Sequence, residues 1–389
     1  MNRHPREKSI WLGSCGGWHL PSTARALQQR NALAGLWITN KNSSGISKSL
    51  FRRCWPFHLA MKLFYHWAPQ IWVEKLFYRF FPLWRFWLRR QEWPPVGVVQ
   101  AIAGYASEPF DHAEKVGALR VIDCPNSHPR TYQNYWQTEC DQWCPGEKVP
   151  VPDWMLDRMK CELERADLVL CPSLFVRDTM VQNGIPAEKC FVNPFGVDTR
   201  QFKPRSEVPS KPRYISVGTI CLRKGFQYLF SAFELVKKEL SDAELIVVGD
   251  YKTDFRLQRP LWEGSFTHIP HLSHVELAEL LVTCSAFVFP SVEEGLARVI
   301  PEAMAAGLPI IASYESGATT LMQDGVEGII VPPRDPARIA EAMIRLGRER
   351  QLNAAMGHAA YEAGGRNNSW LDYGDRLIAE YERRSSREK

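Results

Sequence analysis

Pro290-Ser-Val-Glu-Glu-Gly-Leu-Ala-Arg-Val-Ile-Pro-Glu-Ala-Met-Ala-Ala-Gly307 follows directly on Ser285-Ala-Phe-Val-Phe289. The earlier run has the length and the aromatic, branched content of a buried strand. The later one opens a small-residue helix, so the loop between them leaves a sheet at a carboxyl end. Ligands of open α/β sheets bind there. Gly295 lets the backbone come close to a ligand, and the amides of Leu296, Ala297 and Arg298 stand where a helix begins, which suits an anionic oxygen. Glu294 and Glu302 flank that turn. A carboxylate accepts two hydroxyl hydrogen bonds at once, so the pair suits a ribose on one side and a pyranose on the other, with a diphosphate between. The plainer alternative is a solvated Glu294 and a Glu302 that serves only the dipole of the helix opened by Pro301.

Outward from this stretch, apolar runs at 214–217, 244–248, 286–289, 308–312 and 328–331 alternate with helix-length segments, which predicts a parallel, doubly wound sheet. Phe226, Leu229, Phe230, Phe233 and Val236 recur at helical spacing after Lys224-Gly225, so a helix starts beside the end of the first of these strands. A cation at a helix amino terminus repels the dipole. Lys224, with Arg223 next to it, is therefore better explained by a phosphate lying between cation and helix than by a solvated basic turn.

Together with Ala166-Asp-Leu-Val-Leu-Cys-Pro-Ser173, Val192-Asn-Pro-Phe-Gly-Val-Asp198, Phe202, Pro204 and Ile215-Ser-Val-Gly-Thr-Ile-Cys-Leu-Arg-Lys-Gly225, these segments resemble, in order and over roughly residues 163–331, the retaining glycosyltransferases of family 4 (glycosyl transferases group 1). The resemblance implies the α/β fold named GT-B: two Rossmann-like, doubly wound parallel-sheet domains facing a cleft, with a C-terminal helix that crosses back to the first domain. It implies an acceptor-binding domain over 1–195, onto which 368–389 packs, and a nucleotide-sugar-binding domain over 196–367. Hinges are expected near Asn193 to Phe202 and near Arg366.

Roles follow from the same resemblance. Glu302 is expected to bind the nucleotide ribose, Glu294 the donor sugar's hydroxyls, and Lys224 with Arg223 the departing diphosphate, whose charge is the main thing to stabilise. Gly218, Thr219, Gly295, Leu296, Ala297 and Arg298 complete the expected donor site. Two positions depart from the family's pattern: Thr219 stands where a basic residue usually follows the strand glycine, and Leu296-Ala297 where Phe and a second Gly often stand.

The amino-terminal half carries thinner signals. Ile10-Trp-Leu12 followed by Gly13-Ser-Cys-Gly-Gly17 reads as a strand and a glycine loop, with Gly16 and Gly17 facing the cleft and Ser22 or Thr23 capping the next helix. A plain strand-to-helix turn is the alternative. In Val121-Ile-Asp-Cys-Pro-Asn-Ser-His-Pro129 a strand ends in polar residues, and His128 is the candidate to contact the acceptor or the transferred sugar, orienting hydroxyls or moving a proton. A loop histidine held by local backbone is its alternative. Cys124, His128, Cys140 and Cys144 lack the spacing of a zinc site, and no Asp-x-Asp pair stands near the diphosphate position. No cofactor and a metal-independent reaction are expected, with charge balanced by Lys224, Arg223 and helix dipoles.

Residues 51–95 are the most unusual in composition. They hold 15 of the 45 aromatic residues and eight Lys or Arg against two Glu, a charge of +6 beside the chain's +5. No uncharged apolar stretch approaches the roughly 18 residues of a bilayer span. The segment is expected either to lie at a membrane surface, rings at headgroup depth and arginines on anionic lipid, or to pack as an insertion on the first domain. Pro56, Pro69 and Pro82 are expected to divide it into short helices. Its basic residues belong to no nucleic-acid module, so no such partner is expected. Ten cysteines without regular spacing and a polar first eight residues point to a reducing, cytoplasmic location, on the membrane's inner face if the segment binds lipid.

The whole suggests a glycosyltransferase that moves a sugar from a nucleoside diphosphate sugar, with retention, to a hydroxyl of a saccharide or lipid-linked saccharide in envelope or polysaccharide assembly. A sugar phosphorylase or sugar-nucleotide epimerase on the same fold is one alternative. A sugar-nucleotide-binding scaffold without turnover is the other. Base, sugar, acceptor, linkage and oligomeric state are not set by these residues.

Overall fold

Short, almost wholly apolar strands need both faces covered, and each here is followed by a helix or long loop, so the chain pairs them in parallel. The structure is a computed structural model that describes residues 9–40, 44–65, 70–146, 148–149, 151–255, 259–364 and 369–386. The first sheet is built from β1 (Ile10–Ser14), β2 (Leu33–Ile38), β3 (Phe51–Arg53), β4 (Val98–Ile102), β5 (Leu119–Asp123), β6 (Leu168–Cys171) and β7 (Cys190–Val192). Their spatial order is β3-β2-β1-β4-β5-β6-β7. Its helices are α1 (Leu20–Gln29), α2 (Trp55–Tyr65), α3 (Gln70–Leu88), α4 (Ser107–Val116), α5 (Pro129–Trp143), α6 (Asp153–Arg165) and α7 (Leu174–Gln182).

The second sheet takes β8 (Arg213–Val217), β9 (Glu244–Val248), β10 (Thr267–Ile269), β11 (Ala286–Phe289), β12 (Ile310–Ser313) and β13 (Gly328–Val331) in the order β10-β9-β8-β11-β12-β13. Around it run α8 (Phe226–Glu239), α9 (Arg259–Trp262), α10 (His274–Leu281), α11 (Val299–Ala305), α12 (Pro336–Arg348) and α13 (Arg350–Gly364), and α14 (Trp370–Ser385) follows. The strand order reverses between β1 and β4 in one sheet and between β8 and β11 in the other, and the loops beyond such a switch point form a crevice. The loop after β8 carries Lys224 and the loop after β11 carries Glu294. Their meeting is a consequence of topology.

α14 returns to the first domain, as the resemblance implied. Tyr373, Leu377 and Tyr381 lie buried in that domain's core. The crossing before the second sheet is tied to the same helix: Asn193 Nδ2 donates to the Tyr373 carbonyl, and Arg376 Nε donates to Asn193 Oδ1 at 2.6 Å. Arg366, the second expected hinge, lies outside the described residues. Arg383 and Arg384 belong to α14 and clasp Glu380 at 2.6–2.8 Å.

Among the described residues the aromatic segment packs largely on the first domain's core. Trp84 is fully buried, and Trp11, Trp37 and Trp93 pack with ring centroids 4.7–5.3 Å apart beside it. The expected break at Pro82 does not occur: α3 runs through it. Phe81 and Trp84, 2% and 0% exposed on either side, anchor the helix by more than the roughly 3 kcal/mol a helical proline costs. Pro56 stands in the first turn of α2, where a proline is tolerated, and Pro69 lies outside the described residues. Trp55, Leu59, Leu63 and Phe86 nevertheless remain exposed. Among the described residues no helix is long and apolar enough to cross a membrane.

Candidate functional site

The loop after β8 is pinned against the loop after β11. Gly225 turns in the left-handed region, φ +70°, and a Cβ on it would stand 2.1 Å from the Pro290 carbonyl oxygen. Only glycine permits that approach. It sets Arg223 and Lys224 beside the carboxylates of the next loop. Lys224 Nζ and Arg223 Nη1 each lie 3.4 Å from Glu294 Oε2, and Arg223 Nη1 also reaches Glu293 Oε2 at 2.8 Å. Lys224 runs past Gly218, whose absent Cβ leaves the room, and over the Phe289 ring at 5.3 Å. Thr219 is exposed. Burial alone drives the Glu294 carboxyl upward, but Lys224 and Arg223 outweigh it and hold the group below its ordinary range. Burial likewise opposes the Arg223 charge, and Glu294 and Glu293 more than restore it.

Glu302 sits in the first turn of α11, 8% exposed, with the His274 ring nitrogen Nδ1 3.9 Å away. Burial raises its pKa, only partly offset by His274 and Arg298. The expected row of free amides is narrower than the sequence suggests. Ala297 N–H donates to the Ser316 carbonyl, and Leu296 and Ala297 are both 4% exposed, packed into the hydrophobic cores.

The first domain closes directly on this loop. A Cβ on Gly295 would fall 1.7 Å from the Pro125 carbonyl oxygen, and Ser127 N–H donates to Glu293 Oε1 at 3.0 Å. His128 follows at once. It caps α5, its Nδ1 accepting from Arg130 N–H at 3.3 Å, and it is 6% exposed. Burial, then Arg130 and Lys160, push its pKa down to about 4, so the ring is neutral at physiological pH. The local backbone partner offered as its alternative is therefore present. Gly16 and Gly17 stand in the loop after β1, Gly16 against Trp18 and Gly17 against Asn40. The cap expected of Ser22 or Thr23 is absent: α1 starts at Leu20, and Thr23 Oγ1 bonds back to the His19 carbonyl.

Three residues went unread. Glu293, 0% exposed, joins Arg223 to the first domain, and its place next to Glu294 in the same motif was the available signal. Ser127 is buried with its hydroxyl unpartnered. His19 Nε2 lies 2.9 Å from Asp123 Oδ2, which also accepts from Gln100 Nε2; a contact across 104 positions leaves no local trace. The four-residue Cys/His cluster binds nothing in common: Cys144 Sγ donates to the Asp254 carbonyl, and no group of His, Cys, Asp or Glu among the described residues could hold a metal ion.

Two facing parallel-sheet domains, a cleft floored by paired carboxylates and cations, and a returning last helix define a protein of the GT-B fold. Residues 211–349, in the second domain, match the family Glycosyl transferases group 1. The chain is 30% identical over 234 residues to the sulfoquinovosyl transferase of Arabidopsis thaliana, a match covering 54% of this chain and 43% of that one. It is 28% identical over 217 residues to a GDP-mannose-dependent alpha-(1-6)-phosphatidylinositol monomannoside mannosyltransferase of Mycobacterium tuberculosis, covering 50% and 56%. The chain thus spans about half the length of the curated relatives it matches. In structure it resembles sucrose-phosphate synthase from Thermosynechococcus elongatus (TM-score 0.74, 18% identity, 97% and 99% covered) and Anabaena HepE in complex with UDP and glucose (0.69, 16%, 96% and 99%).

Proposed function

We propose that the protein transfers a sugar from a nucleoside diphosphate sugar to a saccharide hydroxyl, with retention and without a metal. The observation that carries the reading is the loosely held trio of Lys224, Arg223 and Glu294 at the closed seam between the domains. With Arg223 already bound to buried Glu293, Lys224 is the cation with most freedom to move. A donor diphosphate draws it from Glu294, whose second long contact is then open to the sugar's hydroxyls. Glu302, in the first turn of α11, takes the ribose hydroxyls and regains the hydrogen bonds that burial denies it.

In the transfer step the bond from anomeric carbon to diphosphate oxygen breaks, the acceptor oxygen bonds to the same face of that carbon, and the acceptor's proton passes to the departing diphosphate. No side chain here is placed as a covalent nucleophile. The protein's part is to stabilise leaving charge through Lys224, Arg223 and the start of α8, and to keep water out by closing Pro125 onto Gly295. The acceptor is a saccharide or lipid-linked saccharide, and the setting is envelope or polysaccharide assembly at the cytoplasmic membrane surface. Exposed Trp55, Leu59, Leu63 and Phe86, near Lys62, Arg89 and Arg90, support that contact.

A thermal-shift panel of UDP, GDP, ADP and TDP sugars on the wild type and Glu302→Ala tests the reading. A ligand at ~100 times its dissociation constant adds about 2.7 kcal/mol to stability. One base series is expected to stabilise the wild type and not the variant. Stabilisation by none of them would sink the donor site.

A further inference from the structure

Beneath the seam, inside the first domain, lies a cavity of about 130 Å³. It is lined by Trp18, Ala103 and Pro125 to Ser127 from the loops after β1, β4 and β5, and by Leu156, Met159 and Met180. Tyr78 of α3 forms one wall, so the aromatic segment reaches the cavity from outside. Three features mark it as built to receive something. Trp18 holds a left-handed backbone, φ +47°, costly for any side chain but glycine, and is 52% exposed at the rim. Ser127, in the lining, carries a buried hydroxyl with no partner. The lining includes the same residues that touch the donor loop, Pro125 against Gly295 and Ser127 against Glu293.

We propose that this cavity receives the first apolar unit of the acceptor's aglycone, next to the sugar that offers the accepting hydroxyl. This deepens the glycosyl-transfer reading and rests on it. An apolar cavity of about 150 Å³ holds one benzene, so this one takes a ring or branched segment of about five or six carbons. A group seated there holds its attached sugar towards the loop 125–127, which touches the donor loop. Sulfur and ring edges from Met159, Met180, Tyr78 and Trp18 suit unsaturated or aromatic carbon. Two sources supply such chemistry, a soluble aryl glycoside and a membrane-held lipid-linked saccharide, and α3 joins the cavity to the exposed face that favours the second.

The test begins without donor. Fluorine NMR titrations use 4-fluorophenyl glycosides of glucose, galactose, mannose and N-acetylglucosamine, with the free sugars as controls. At least one aryl glycoside is expected to bind at least tenfold tighter than its free sugar. Ala103→Leu and Val151→Phe, which fill the cavity from two walls, are expected to remove that gain. Near-ultraviolet circular dichroism shows that each variant is folded, and two sites guard against one collapsing. Aryl glycosides that bind no better than free sugars, or binding that survives both fillings, overturn the proposal. The nucleotide-sugar panel, run separately, decides the donor reading, so the two fail independently. Transfer to a hexyl glycoside in solution against the same glycoside anchored by a longer chain in anionic vesicles then separates the sources: a gain of tenfold or more in vesicles assigns the lipid.

Discussion

Helix α5 meets the second domain at both ends, and the two meetings are built differently. Near its carboxyl end Glu139, fully buried, has both oxygens taken: Oε1 by Arg334 Nε at 2.6 Å, Oε2 by Gln227 Nε2 at 2.7 Å and the Tyr228 hydroxyl at 2.8 Å. Before its amino end Glu293 is held by Arg223 and the Ser127 N–H, but Glu294 and Glu302 are held loosely. Glu294 is 3.4 Å from each of two cations, Glu302 is 3.9 Å from the His274 ring, and the Ser127 hydroxyl has no partner. Short bonds to both of the Glu139 oxygens join the protein to itself, although Gln227 Oε1 and Arg334 Nη2 of the same cluster have no partner. Long or missing ones leave capacity for a ligand, and the same low dielectric that strengthens the first set makes the second expensive until a ligand arrives.

The sharpest way to break that contrast is at the tight end. Glu139→Ala takes the acceptor from half-buried Arg334 and from Gln227 and Tyr228 and should lower stability by about 2–4 kcal/mol, read as a fall in denaturant midpoint. If the tight cluster is purely structural, the surviving folded fraction still responds to a nucleotide sugar. A variant of normal stability that no longer responds would show the opposite assignment. At the loose end Gly295→Ala drives a methyl into the Pro125 carbonyl and wedges the seam open. A smaller stability loss, about 1–3 kcal/mol, is expected, with transfer reduced by about 100-fold because an ångström of misplacement suffices. Kinetics beside a melting curve separates the two numbers.

How much of this contrast the sequence could show follows from distance along the chain. The loose end was legible because Glu294, Glu302 and the Gly295 turn fall within one strand-loop-helix, and Lys224 falls on another that the parallel pattern placed alongside. The second sheet was legible for the same reason: β9, β11 and β13 occupy the predicted runs. The tight end was not, since Glu139 meets Gln227, Tyr228 and Arg334 across 88, 89 and 195 positions. Pro82 misled because a local rule was overridden by burial of Phe81 and Trp84. Ser22 and Thr23 misled because α1 starts earlier, at Leu20 after His19, whose ring is bound to Asp123.

Glu302→Gln sharpens the comparison through pH. Burial raises the carboxyl's pKa in the folded protein, so the ionised form costs stability above that folded value, and the cost is absent below the unfolded value near 4.5. The amide carries no charge at any pH. Ligand-free Glu302→Gln should therefore be more stable than the wild type at pH 7–8, by less than about 1 kcal/mol, and level with it at pH 4. Its response to nucleotide sugars should be lost. Equal stability at both pH values with the nucleotide response intact would move Glu302 from the site to the scaffold.

A last expected effect is at His128, where tight and loose meet. Its ring is bound to the Arg130 amide like a structural cap, yet it stands one residue from Ser127. With a folded pKa of about 4 against 6.5 when unfolded, the unfolded chain takes up the proton first, so stability falls as pH drops from 6.5 towards 4. His128→Asn keeps a capping acceptor for the α5 amides and removes the titration. Melting curves at pH 4.5 and 7.5 should then converge for the variant relative to the wild type, by about 2 kcal/mol, since each pH unit crossed between the two values is worth about 1.4 kcal/mol. The transfer rate decides the rest. If it is unchanged, His128 only holds α5 in place. A loss of tenfold or more in kcat, with the nucleotide response preserved, makes its neutral ring a partner of the acceptor hydroxyl, because a cap that asparagine replaces has no other way to act on turnover.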